Sequence, residues 1–70
     1  MDEKIFSIHY KSGNKTKKLD LNYLIFGEKI SYFSFEEYDG KKAYVAYNES
    51  GSIIFVVFAK NVISLYFKLD

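Results

Sequence analysis

The chain contains no cysteine, so it can build neither a disulfide framework nor a thiolate nucleophile. Secreted domains of this size ordinarily depend on such cross-links, and an intracellular, cytoplasmic setting is the expectation. Arginine is absent as well, leaving lysine to carry all the positive charge. Lysine lacks the planar fork that grips phosphate or guanine through two parallel hydrogen bonds, which counts against sequence-specific reading of DNA. No sign of charge dominates either. A formal net charge of +1 gives neither the field of a histone-like protein nor that of an acidic DNA mimic.

Long hydrophobic runs are missing too. The longest, Ile53 to Ala59, falls far short of the roughly 20 residues that a membrane helix needs. The N-terminal Met1-Asp2-Glu3-Lys4 has no basic region followed by an apolar stretch, so neither a secretory signal nor a membrane anchor is expected. Proline and tryptophan do not occur, while Lys, Asn, Ile, Phe and Tyr supply about half of the chain. AT-rich coding produces that skew, which points to a low-GC bacterium or a mobile element living in one.

Catalytic material is scarce. With no cysteine and only one histidine, His9, a nucleophile has little from which to assemble a base and an orienting group. His9 falls on the polar face of the first strand, and an exposed or satisfied sheet histidine is the plainer reading. One histidine without cysteine makes no zinc site. Glu36 and Glu37 are strand neighbours that point to opposite faces, and Asp39 belongs to a turn, so the acidic group does not converge on a cation. The four glycines are isolated and form no phosphate loop. No enzyme activity, metal, cofactor or small-molecule ligand is expected.

Seventy residues with 49% hydrophobic and 20% aromatic composition are too apolar for a disordered chain. They make one domain, spanning residues 1–70, whose stability margin is thin because so short a chain buries only about 60% of its unfolded surface. Seven Tyr and seven Phe exceed what one small core holds, since each ring brings roughly 150–250 Å². Some must remain at the surface. They either line the outer face of a sheet or form an oligomer or partner interface; Tyr32, Tyr44 and Tyr66 are the candidates for the second role.

Glycines at 13, 27, 40 and 51 punctuate the chain at intervals suited to a β-meander. Phe6, Ile8 and Tyr10 alternate with Ser7, His9 and Lys11, a period of two that predicts a first strand. A second strand spans Lys15 to Asn22, with Leu19 and Leu21 inward. Residues 22–27 read either as a helical turn or as more strand, and a short irregular or 3₁₀ connection is favoured. A third strand covers Lys29 to Glu37, and Asp39-Gly40, the type I′ signal, turns it antiparallel onto a fourth at Lys42 to Tyr47. Ser52 to Ala59 is apolar on both faces and is assigned the central position, where its amides should exchange slowest. After a reversal at Lys60-Asn61, Val62 to Leu69 gives a sixth strand.

The fold class is therefore all-β: one small antiparallel meander of about six strands, strongly bent, or a partly open barrel that resembles SH3-like and Sm-like barrels in outline. The alternative is a flat sheet packed face to face in a homodimer. Ile54-Phe55-Val56-Val57-Phe58 lacks the glycine–aromatic motif of cold-shock domains and RNA-recognition modules.

Function at this level rests on exclusion and surface character. The first expectation is a small non-enzymatic module that binds a protein partner, or itself, through exposed Tyr and Phe and an unpaired strand edge. The alternative is a barrel that binds single-stranded nucleic acid. Lys11, Lys15, Lys17 and Lys18 crowd the first hairpin beside Tyr10, with no acid between Lys4 and Asp20, and such residues pair with phosphates and stack bases. Lysines that keep a strand edge soluble would give the same pattern.

Overall fold

The computed structural model describes residues 3–69. It is all-β, with β1 at Glu3–Ser12, β2 at Lys15–Asp20, β3 at Leu24–Ile25, β4 at Glu28–Lys29, β5 at Tyr32–Tyr38, β6 at Lys41–Tyr47, β7 at Ile53–Phe58 and β8 at Val62–Leu69. One 3₁₀ turn, Ala59–Asn61, separates β7 from β8. Every pairing is antiparallel. One three-stranded sheet has the order β2-β1-β8, another the order β5-β6-β7, and β3 with β4 forms a small ribbon between them. Among the described residues the sheets stay open, with no closed barrel, and no helix is long and apolar enough to cross a membrane.

Turn chemistry explains much of this layout. Asp39 and Gly40 both adopt positive φ, +53° and +76°, the requirement of a type I′ turn, and β5 folds onto β6 with Tyr38 opposite Lys41. Phe26 and Gly27 repeat the pattern at +52° and +79°, placing Ile25 opposite Glu28. The segment read as an irregular or 3₁₀ connection is thus a miniature hairpin. It was concealed because phenylalanine is an unfavourable residue where φ is positive, so Phe26-Gly27 lacks the usual Asn-Gly or Asp-Gly signal.

The core lies between the two sheets. Leu19 of β2 meets Ala46 of β6, Val57 of β7 and Ile30, with Tyr10, Leu21, Phe33, Phe55 and others packed around them. The two sheets meet across this core, as the bent-sheet reading expects. The strand assigned to the centre does not occupy it. Ile53–Phe58 pairs only with β6 and lies at a sheet edge, whereas β6 is hydrogen-bonded on both sides and contributes buried Ala43, Val45 and Ala46. Apolar content on both faces of a strand reports coverage from above and below, not pairing on both edges. The small side chains of β6 are what let neighbouring rows close over it.

One polar residue orders the β6–β7 connection. Asn48 is buried, and its Oδ1 accepts from the amides of Ser50 and Ser52 and the hydroxyl of Ser50. Its Nδ2 donates to Glu28 of the ribbon at 3.1 Å. The amide of Ile30 donates to Tyr23, and that of Asn22 to Ile30. The ribbon is therefore tied at its base while its tip projects outward.

Candidate binding surface

The buried hydrophobic residues are Ile8, Leu19, Ile30, Ala43, Val45, Ala46 and Val57. None is aromatic. Of the fourteen rings, seven Tyr and seven Phe, six are half-buried and eight are exposed, so the surplus foreseen from composition is in part displayed.

The largest concentration borders the ribbon. Tyr23 is 53% exposed, Leu24 63% and Phe26 99%. Beside this tip runs a shallow groove of about 480 Å³, lined by Tyr10, Tyr23, Phe26 and Phe55 with Lys17 and Lys18. No acidic side chain lines it. The β1–β2 register sets Lys17 opposite Tyr10 and Lys18 opposite His9. Lys17 thus shares the face of Tyr10, and Lys18 reaches the groove around the exposed edge of β2. Burial raises the Tyr10 hydroxyl pKa above its ordinary value, and the neighbouring Tyr23 adds to the effect.

Of the five residues suggested by sequence for nucleic acid, Tyr10, Lys17 and Lys18 meet in this groove. Lys11 lies instead in the cleft between the first hairpin and β7, while Lys15, opposite Ser12, is exposed at the hairpin's end. Tyr23, Phe26 and Phe55 were missed. Their only signal was the general excess of rings, because the ribbon that aims Tyr23 and Phe26 was itself hidden.

Tyr32, Tyr44 and Tyr66 do not share a surface. Tyr32 stacks on Tyr47 with ring centres 4.9 Å apart. Tyr47 donates its hydroxyl to both carboxylate oxygens of Glu36, at 2.8 and 2.7 Å. That bond, with burial and the negative charge beside it, pushes the Tyr47 pKa up to about 12. Tyr44 lies on the other face of β6 against Phe35, and Tyr66 belongs to the other sheet.

Around Tyr66 is a second polar and aromatic cluster. The Ser7 hydroxyl donates to Asp20 at 2.5 Å, Lys18 lies 3.7 Å from the same carboxylate, and the His9 ring packs against Tyr66 at 4.7 Å. Serine, histidine and aspartate do share this face, yet in a different order from a hydrolytic triad. Asp20 holds Ser7 directly, whereas a triad needs the carboxylate to orient the histidine and the histidine to take the serine proton. Among the described residues no three His, Asp or Glu side chains are grouped as metal ligands would be. Compared with known proteins, the chain matches no family model, no curated protein and no solved structure.

Proposed function

We propose that the chain is a small, non-catalytic, cytoplasmic interaction module that engages a protein partner through the ribbon tip and the groove beside it. The observation that carries this reading is Phe26, which is 99% exposed at φ +52°. A side chain at such a φ costs about 1–2 kcal/mol relative to the right-handed region, and Asn or Gly would occupy the turn with less strain. Within the fold, the ring recovers almost nothing by burial. A residue that the fold disfavours on two counts, flanked by exposed Tyr23 and Leu24, has the character of an interface anchor. Aromatic knobs that fill a partner's pocket dominate such interfaces.

The test compares the native chain with Phe26→Asn and Lys15→Glu, the latter outside the groove, as baits in the source lysate, with and without nuclease. The reading expects a nuclease-resistant protein that the native chain and Lys15→Glu retain and Phe26→Asn loses. Retention by Phe26→Asn would refute it.

A second reading is favoured by the groove itself, where four aromatic rings meet two lysines, Lys18 also lying 3.7 Å from Asp20. Bases of a single strand can stack on such rings while lysines follow the phosphates. Binding of this kind should weaken steeply with salt, and Lys17→Glu with Lys18→Glu should abolish it. No retention of single-stranded DNA or RNA at low salt would exclude it.

A further inference from the structure

We propose that β8 is a homodimerisation edge, along which two copies pair antiparallel about a two-fold axis beside Tyr66 to give a continuous six-stranded sheet in the order β2-β1-β8-β8-β1-β2. This surface is separate from the ribbon tip, and the inference does not depend on the tip's partner.

β8 is eight residues long and among the described residues pairs with β1 alone, leaving its outer row of backbone donors and acceptors without a described strand. Ile63, Tyr66, Phe67 and Leu69 are each about half exposed or more. An edge of this length and apolarity, without proline, is a template for strand pairing; its pairing with β1 is irregular at Ile63 and opposite the Tyr66–Phe67 step. The other edge of the same sheet is guarded: β2 carries exposed Lys15, Lys17 and Lys18.

What selects a second copy is the self-complementarity of β8. With Tyr66 opposite itself, Leu65 meets the partner copy's Phe67 on both sides of the axis, so apolar residues pair with apolar ones. Lys68, the only charged residue of β8, meets Ser64. No charge faces a like charge, and the two tyrosines stand side by side at the axis, the kind of aromatic pair that stabilises neighbouring strands. The axis lies perpendicular to the sheet, keeping the core faces of both copies on the same side. Growth then stops, because both outer edges of the six-stranded sheet are the lysine-bearing β2. The interface is isologous and closed rather than filament-forming.

Sedimentation equilibrium over a concentration series tests this. The native chain should reach twice its 8.2 kDa mass and go no further; a strict monomer at millimolar concentration would overturn the proposal. Ser64→Glu places a carboxylate opposite the partner copy's Lys68 and should tighten the dimer, whereas Ser64→Lys sets lysine against lysine and should loosen it. The symmetry makes each change twice, so the two dissociation constants should differ by roughly tenfold. Equal shifts would refute the register.

Amide exchange keeps the proposal open to refutation if a Ser64 variant fails to fold. The β8 amides of the native chain should exchange more slowly in concentrated than in dilute solution, and concentration-independent exchange would overturn the pairing. Phe26→Asn should dimerise like the native chain. A monomeric Phe26→Asn would place self-association at the ribbon tip and overturn the assignment to β8.

Discussion

Asn48 shows how much of the loop structure one side chain can hold. Its amide satisfies two backbone donors and a serine hydroxyl at one oxygen and reaches Glu28 with its nitrogen. Asn48→Ala strips the Ser50 and Ser52 amides of their acceptor and releases the ribbon from the β6–β7 connection. A loss of about 1–3 kcal/mol is expected, given the cost of leaving partly buried donors unpaired. For a domain of this size that corresponds to a fall in melting temperature of roughly 4–8 °C per kcal/mol, and a thermal melt within a degree of the native one would contradict the role given to Asn48.

Tyr47 holds its hydroxyl proton for an equally local reason. Its hydroxyl proton is held by Glu36, and ionisation would set two negative charges against each other. The folded-state pKa of about 12 lies above the ordinary value of 10.0. Folding therefore holds this proton more tightly than the unfolded chain does. The resulting stability is fully present below pH 10 and is lost as pH rises through about 12. In a spectrophotometric titration of the folded protein one phenol should ionise near pH 12, and Tyr47→Phe should remove that step. A native titration complete by pH 11 would contradict the Glu36 contact.

At the scale of elements, the strand that matters most is the one with the smallest side chains. β6 is paired on both edges and covered on both faces, so its amides open only when the sheet comes apart. Native-state hydrogen exchange should find Val45 and its β6 neighbours slowest, with β7 less protected. Slower exchange in β7 would restore the apolar strand to the centre. That difference also marks how far the sequence can be read. The long strands and the Asp39-Gly40 turn were legible because alternation and turn residues are local properties. Strand order was not, because the apolar run of β7 reports covered faces and is silent about its edges. The ribbon was illegible for the opposite reason: Phe26 sits where local preference forbids it, and only tertiary ties at Asn22, Ile30 and Asn48 hold the turn.

The same asymmetry governs the candidate site. Tyr10, Lys17 and Lys18 could be named because they lie on a hairpin whose register follows from alternation. Tyr23 and Phe26 could not, since their position depends on the ribbon. The fold of β1 and β8 also joins Ser7, His9, Asp20 and Tyr66, which are up to 59 residues apart in a chain of 70, and no local spacing announces that cluster.

For the whole molecule, the arrangement is a core made of aliphatic side chains inside an aromatic shell. The buried core is Ile, Leu, Val and Ala, with Tyr10, Phe33 and Phe55 packed against it and other rings exposed at the surface. The two proposed surfaces, the ribbon tip with its groove and the edge of β8, share no residue, so mutations can test each by itself. Phe26 is 99% exposed at positive φ, and the proposed partner is what would account for a ring at that position. Equilibrium unfolding of Phe26→Asn in denaturant tests this most directly. Relief of the turn strain should make the variant more stable than the native chain by about 1 kcal/mol, with an unchanged denaturant slope. A less stable variant would mean that the Phe26 ring supports the fold, contradicting the role assigned to it.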